Sequence, residues 1–209
     1  MLVVDVDVPV VDDATTHHLG RVLRLRDGAA VTVTDGAGRW RECRWVGRGV
    51  EPCGEVVPVR RPLDVTVAVA PPKGERLDWL VQKTTEVGVT RLVLLVAERS
   101  VVRWDAERAA RQLARLGRVA IEAAMQSRRV WFPELSGPVP APHVLASSAI
   151  AEPGGRPVGA GDRSIAIGPE GGWSPTELAL AADRVSLGAN VLRVETAAVV
   201  AVTPMAAAS

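Results

Sequence analysis

The sequence contains little cysteine and little histidine, and each scarcity argues against a class of protein. Its two cysteines, Cys43 and Cys53, cannot build a disulfide scaffold, and their spacing matches no zinc site. The three histidines include an adjacent pair, His17 and His18, which argues against a histidine-centred hydrolase or a metal enzyme. The motifs of P-loop hydrolases, dinucleotide-binding domains, α/β-hydrolases and zinc proteases are also absent. We therefore expect no metal.

Long apolar runs and a targeting segment are missing as well. The first residues carry acids where a signal peptide needs positive charge. The most apolar stretch, residues 196–209, is too short to span a bilayer and contains Pro204. With 47% hydrophobic and 23% charged residues among 209, the composition is that of an ordinary globular protein. The sequence predicts a cytoplasmic protein with no membrane partner.

An excess of charge of one sign is missing from the chain as a whole but is present in its middle. The net charge of +1 excludes a basic coat over the entire protein. Residues 99–129, however, contain eight arginines against three acids, a local net charge of +5. Such a segment can attract a polyanion. A solvated helix face explains the same charges, and charge alone favours that interpretation. The segment predicts a long helix that Asp105 caps, with its arginines outward and with Leu113, Leu116, Ala120, Ala124 and Met125 inward.

The first sixty residues differ in pattern from the rest of the chain. Short strands separated by turn signals, at residues 30–34, 39–46 and 54–59, predict a small β-barrel. From Leu63 onward, buried β-branched strands alternate with helices, which predicts an open α/β sheet. We expect a β-domain at residues 1–62 followed by an α/β domain at residues 63–209.

The most informative motif is GPEGGWSPTE at residues 168–177. It follows a buried strand and opens a helix, with Ser174 as N-cap, Pro175 in the first position and Glu177 completing a capping box. Three glycines within five residues let a ligand approach the backbone, and the start of the helix offers free N–H groups. The motif predicts a ligand site at the carboxyl end of a strand, although a tight turn without ligand shares some of these features.

A second polar string, SLGANVLRVETAA, occupies residues 186–198. Its Leu-Gly pair ends a strand, and Arg193 and Glu195 flank the start of an apolar helix. A solvent-facing ion pair accounts for these two charges equally well.

Taken together, the motifs resemble those of the RsmE family, the ribosomal small-subunit RNA uracil-N3 methyltransferases of the SPOUT class. The resemblance rests on GPEGGW and LGxxVLRxETA, on KGERLDWLVQKTTEVGV, AERSVV and AAMQSRR, and on HHLGRVLRLRDG near the N-terminus. It implies a PUA-like β-barrel at residues 1–62 and, at residues 63–209, an α/β domain with a C-terminal trefoil knot. It also implies S-adenosyl-L-methionine as cofactor, a homodimer, and methylation of N3 of one uridine in 16S ribosomal RNA.

The resemblance also implies roles for individual residues. Arg193, Glu195 and Arg99 would serve catalysis, with Arg193 or Arg99 stabilising the developing uracil anion and Glu195 orienting the arginine. The cofactor would be held by Ile167, Gly168, Pro169, Glu170, Gly171, Gly172, Leu187, Gly188, Val191, Leu192 and Thr196. RNA would be contacted by Arg21, Arg24, Arg26, Lys73, Gln126, Ser127 and Arg128.

The chain departs from the family pattern at three positions. Asn190 stands where the family usually has a basic residue, Val194 where it has threonine, and Arg128 where it has glycine. Two alternatives therefore stay open: a SPOUT methyltransferase with a different RNA target, and a non-catalytic RNA-binding factor of ribosome assembly. The expected partner is small-subunit ribosomal RNA or the assembled small subunit.

Overall fold

The computed structural model describes residues 1–207, so Ala208 and Ser209, the end of the expected α/β domain, lie outside the described residues. The chain forms two compact units. The first unit comprises Met1–Arg61 together with Ser127–Phe132, and the second comprises Pro62–Gln126 and the chain from Pro133 onward. The first unit is thus completed by a segment that comes much later in the sequence.

The first unit contains a three-stranded antiparallel sheet with the strand order β1-β2-β3. Its strands are β1 (Ala30–Thr34), β2 (Arg39–Val46) and β3 (Gly49–Pro58), preceded by helix α1 (Asp13–His17) and a π-helical turn (His18–Val22). The predicted strands are confirmed, with β3 beginning five residues earlier than expected. A small core of Val3, Val6, Val33 and Cys43 supports the sheet.

The late segment packs on the turn between β1 and β2. The N–H of Phe132 donates to the carbonyl of Gly36 at 2.9 Å, and the N–H of Gly38 donates to the carbonyl of Val130 at 2.9 Å. Gly38 has φ of 102°, and a Cβ there would lie 2.3 Å from the indole of Trp131. This glycine is therefore required both by the turn and by the ring that covers it.

The second unit contains a six-stranded parallel sheet in the order β6-β5-β4-β8-β7-β9. Its strands are β4 (Thr66–Val69), β5 (Arg91–Val96), β6 (Glu134–Pro140), β7 (Ala149–Pro157), β8 (Ser164–Ile167) and β9 (Asp183–Ser186). Its helices are α2 (Arg76–Val87), α3 (Ala106–Gln126), α4 (Pro142–Leu145), α5 (Pro175–Leu180) and α6 (Val194–Ala206). The predicted parallel α/β sheet is confirmed.

Both faces of this sheet are covered. One buried cluster packs α2, α3 and α6 on the sheet through Leu80, Leu116 and Ala201. A second cluster, with Leu145 and Trp173, lies on the opposite face. Strand β4 is buried throughout because its side chains alternate between the two clusters.

One expectation for helix α3 is wrong. Asp105 caps the helix as predicted, its Oδ1 accepting the N–H of Arg108 at 2.7 Å. Met125, however, was expected on the inward stripe and is 37% exposed. Successive residues of an α-helix are rotated by about 100°, so with Ala123 and Ala124 on the packed face the side chain of Met125 lies beyond it.

Arg156 on β7 ties the end of its strand to two acids, which predicts a pH dependence of stability. Its Nη2 lies 2.5 Å from Asp162 Oδ1 and its Nε 2.7 Å from Asp183 Oδ2. The hydrogen bond from Arg156 lowers the pKa of the Asp162 carboxyl below its usual value. A carboxyl with a depressed pKa stabilises the fold above its unfolded pKa, about 3.9, and loses that contribution as pH falls through the folded pKa.

We therefore expect Asp162→Asn to lower the melting temperature at neutral pH, with a difference from wild type that shrinks as the pH falls below about 3.9. Thermal unfolding of both proteins across this range checks the sign. A difference that grows in acid would contradict the assignment of this ion pair.

Candidate functional site

A cavity of about 530 Å³ opens at the carboxyl ends of strands β8 and β9, beside residues 151–153 of β7. These strands are parallel neighbours, so their carboxyl ends meet at one edge of the sheet. Two loop regions line the cavity, at residues 167–173 and 186–194, together with residues 151–153 of strand β7. Its size is that of a site for a small organic ligand or cofactor.

The glycine loop, residues 168–173, joins β8 to α5 and is fixed by the start of that helix. Ser174 Oγ accepts the N–H of Glu177, and the Glu177 carboxylate accepts the N–H of Ser174, so the predicted capping box is confirmed. Gly172, with φ of 70°, donates its N–H to the carbonyl of Pro169 at 2.8 Å and closes the turn. The loop therefore presents backbone groups to the cavity from a rigid base.

Trp173 supports the glycine loop from below. Its side chain is buried in the second cluster, on the face of the sheet opposite α2, α3 and α6. Its Nε1 donates to the carbonyl of Ala151 at 3.4 Å. A Cβ at Gly168 would lie 2.9 Å from Cε2 of this indole. Gly168 is thus required by close packing.

The second wall is formed by residues 187–193 between β9 and α6, called the knot loop after the knot that the family resemblance implies for this segment. Gly188 has φ of 131° and donates its N–H to Ser186 Oγ at 3.4 Å. Leu187 and Leu192 are half-buried, whereas Val191 is 91% exposed. The wall is therefore largely apolar, with Arg193 at its end.

Most of the residues expected to hold a cofactor surround this cavity. The structure places there Ile167, Gly168, Pro169, Glu170, Gly172, Leu187, Gly188, Val191 and Leu192. Two others lie outside the lining. Gly171 faces Arg99, because a Cβ placed on Gly171 would lie 3.4 Å from the Cβ of Arg99. Thr196 is exposed in the first turn of α6.

The residues that sequence reasoning missed come mainly from β7. Ala151, Glu152 and Pro153 form a third wall of the cavity. Asn190 and Val194, noted as departures from the family pattern, also line it. The apolar stretch at residues 144–151 runs into β7, but the neighbours of this strand in the sheet could not be predicted from local sequence.

The three candidate catalytic residues have different surroundings. Arg193 lines the cavity, is exposed, and its side chain has no hydrogen bond or ion pair among residues 1–207. Arg99 lies over the glycine loop, where its Nη1 donates to the carbonyl of Gly171 at 3.1 Å. Glu195 is 7% exposed, and the structure pairs it with Arg76 rather than with Arg193 or Arg99.

Arg76, at the start of α2, braces both cavity walls and was not anticipated. Its Nη2 lies 3.7 Å from Glu170 Oε1 in the glycine loop, and its Nη1 lies 3.9 Å from Glu195 Oε1. Its Nε donates to the carbonyl of Lys73 at 3.2 Å. Glu195 Oε2 is buried without a hydrogen-bond partner among the described residues. Arg76 is therefore the cation that compensates this carboxylate.

We expect Arg76→Ala to lower the free energy of unfolding by about 1–3 kcal/mol, because a buried carboxylate loses its partner. Arg111→Ala is the matched control, since Arg111 pairs with the exposed Glu107 on α3 and its loss should cost less than about 0.5 kcal/mol. Denaturant unfolding of both variants gives the comparison. Equal effects would show that the brace is no stronger than a surface ion pair.

The expected RNA contacts are divided between the two units. Arg21, Arg24 and Arg26 are exposed in the first unit, which also holds Ser127 and Arg128. Lys73 and Gln126 are exposed in the second unit. Within residues 1–207 no ion pair engages these three arginines, so their charges face solvent.

Two kinds of feature are absent from the described residues. Between residues 1 and 207 no three or more His, Cys, Asp or Glu side chains are grouped so as to hold a metal ion. In the same part of the chain, no helix has the length and apolar character needed to cross a membrane.

Comparison with known proteins gives consistent matches. Residues 59–206 match the RNA methyltransferase domain family, and residues 11–45 match the RNA methyltransferase PUA domain. The ribosomal RNA small subunit methyltransferase E of Mycobacterium bovis is 36% identical over 222 residues, covering 93% of this chain and 84% of that protein. The protein of the same name from Synechocystis is 34% identical over 213 residues, covering 90% of this chain and 69% of that protein.

A solved structure extends the match to the fold. The ribosomal RNA small subunit methyltransferase E of Neisseria gonorrhoeae, bound to S-adenosyl methionine, has a TM-score of 0.79 and 29% identity, covering 94% of this chain and 90% of that one. Fold and matched domain define an RNA methyltransferase. The chain belongs to the ribosomal RNA small subunit methyltransferase E family, which confirms the family expected from the motifs.

Proposed function

We propose that this protein transfers a methyl group from S-adenosyl-L-methionine to N3 of one uridine in 16S ribosomal RNA, in the cytoplasm. The observation that carries the proposal is the cavity at the carboxyl ends of β8 and β9, walled by the glycine loop, the knot loop and residues 151–153 of β7. A relative similar along nearly the whole chain was solved with S-adenosyl methionine bound.

The lining of the cavity suits this cofactor. Ile167, Leu187 and Leu192 supply apolar surface for an adenine ring, and Gly168, Gly172 and Gly188 bring the backbone close to a ligand. Glu152 and Glu170 place two carboxylates at a site for a ligand that carries a sulfonium and an ammonium group. When bound, the cofactor supplies an electrophilic methyl group.

The chain's own residues would prepare the nucleophile. Uracil N3 is a weak acid that must lose its proton before or during attack, and negative charge develops on the ring. Arg193 can turn its free guanidinium toward that charge, and Arg99 offers a second cation beside the glycine loop. Because N3 is hydrogen-bonded in paired RNA, the target uridine must be unpaired or flipped out of its stack.

The proposal includes the finer architecture of the family. Residues 1–62 would form a PUA-like β-barrel that binds RNA, an assignment supported by the domain match at residues 11–45. Residues 63–209 would form the SPOUT methyltransferase domain, with a trefoil knot in the segment that builds the cavity. The match of residues 59–206 to the RNA methyltransferase domain family supports the assignment of the methyltransferase domain.

The active form would be a homodimer. Val191 in the knot loop is 91% exposed although it lines the cavity, and a second copy would cover such an apolar side chain. Light scattering after size exclusion should give a mass near twice that of the 22.1 kDa chain at micromolar concentration. A monomer with full activity would contradict this part of the proposal.

The test of the activity is methyl transfer from labelled S-adenosyl-L-methionine to unmodified small ribosomal subunits and, in parallel, to naked 16S ribosomal RNA. Nucleoside analysis should find the label in 3-methyluridine. Label in another nucleoside would instead indicate a methyltransferase with a different RNA target. No label from a protein that binds the cofactor would indicate a non-catalytic RNA-binding assembly factor.

A further inference from the structure

Glu177 makes a contact that its helix does not require. The side chain is 1% exposed and lies in the first turn of α5. Its Oε2 accepts the N–H of Ser174 at 2.9 Å, which completes the capping box. Its Oε1 accepts the N–H of Glu98 at 2.9 Å, in a loop 79 residues earlier in the chain. The carboxylate therefore joins two loops in addition to capping a helix.

The loop that it holds contains Arg99. This loop follows β5 and forms a tight turn, in which the N–H of Ala97 donates to Ser100 Oγ at 2.9 Å and the N–H of Ser100 donates to the carbonyl of Ala97 at 3.0 Å. Arg99 extends from this turn to the carbonyl of Gly171. Two independent links, through Glu177 and through Arg99, thus connect the turn to the glycine loop.

Both partners of the Glu177 side chain are hydrogen-bond donors, so the side chain at this position needs two acceptor oxygens, which a carboxylate supplies. Glutamine has one acceptor oxygen and an NH₂ group, which would face a donor N–H at one of the two contacts. Aspartate keeps the charge but is one methylene shorter. Neither side chain can satisfy Ser174 and Glu98 together from the same backbone position.

We propose that Glu177 is a positioning residue for methyl transfer, holding the Arg99 turn against the glycine loop so that the Arg99 guanidinium meets the substrate at a fixed place. The inference rests on the proposed function and adds a residue to its machinery. A displacement of about 1 Å in such a group can reduce turnover as much as 100-fold. Loss of the link should therefore lower kcat more than it weakens cofactor binding.

Ser174→Ala provides the matched control for Glu177→Gln. It removes the hydroxyl that caps the Glu177 N–H at 3.2 Å but leaves the link from Glu177 to Glu98. We expect Glu177→Gln to lower kcat about tenfold and Ser174→Ala less than about twofold, with cofactor Kd changed less than about threefold in both. Equal losses of kcat would overturn the positioning role and leave only a helix cap.

A double-variant cycle tests whether Glu177 acts through Arg99. If it does, Arg99→Ala combined with Glu177→Gln should be about as slow as Arg99→Ala alone. If the fold losses of kcat in the two single variants instead multiply in the double variant, the proposal is overturned. Should Glu177→Gln fail to fold, Glu177→Asp takes its place in both comparisons.

Amide hydrogen exchange supplies a readout independent of activity. The segment at residues 97–100 should exchange faster in Glu177→Gln than in Ser174→Ala or wild type. Unchanged exchange would overturn the inference. A wild-type protein that produces no 3-methyluridine would overturn the proposed function. In that case amide hydrogen exchange would still decide whether Glu177 holds this turn.

Discussion

Arg193→Ala is expected to lower kcat for methyl transfer about 100-fold while leaving the Kd for S-adenosyl-L-methionine within about threefold of wild type. Arg193 lies on the cavity wall, and its guanidinium has no other partner among residues 1–207. A cation placed where negative charge develops stabilises the transition state more than the ground state. Single-turnover rates and calorimetric binding of the cofactor separate the two quantities.

Arg184→Ala is the control for this experiment. Arg184 is an exposed arginine of β9 in the same unit, and its side chain has no hydrogen bond or ion pair in the described chain. Its removal subtracts the same charge without touching the cavity lining, so kcat should stay within about twofold. If Arg193→Ala keeps full turnover with normal cofactor affinity, the electrostatic role of Arg193 is wrong.

The glycine loop was predictable because its determinants are local. An N-cap, a proline at the first helical position and a capping-box glutamate lie within four consecutive residues, Ser174–Glu177. The preceding apolar strand is equally local. The sequence could therefore place a ligand loop at a strand end before any tertiary contact was known.

The third wall and the brace were not predictable in the same way. Residues 151–153 reach the cavity because β7 lies between β8 and β9, a sheet order that periodicity does not encode. Arg76 meets Glu170 and Glu195 only after three distant segments pack together. Such contacts depend on topology, and nothing in the local sequence pairs Arg76 with the two glutamates, which were expected in the site for other roles.

The arginine-rich segment shows why a local charge count is an incomplete guide. Several of its eight arginines bind acceptors of the protein itself, among them Arg99, Arg103, Arg111 and Arg115. The local net charge of +5 therefore overstates what is free to attract RNA. Part of the charge stabilises helix α3 and the adjacent turn, and attraction of RNA by the rest stays a prediction.

Gly168→Ala is expected to weaken S-adenosyl-L-methionine binding at least about tenfold and to lower the free energy of unfolding by about 1–3 kcal/mol. The added Cβ would lie 2.9 Å from Cε2 of Trp173. That ring is packed in the sheet cluster with Ala166 and Ile150, so the glycine loop must move instead. Calorimetric titration and denaturant unfolding measure the two effects.

The same substitution at Gly161 serves as the control, because a Cβ there would meet nothing within 4 Å. A second variant tests the cause directly. Trp173→Phe removes part of the indole that the new methyl group meets, so combining it with Gly168→Ala should restore part of the lost affinity. If instead the two losses multiply, the clash with Trp173 does not explain why glycine is needed, and close approach of the cofactor to the backbone at this position becomes the better explanation.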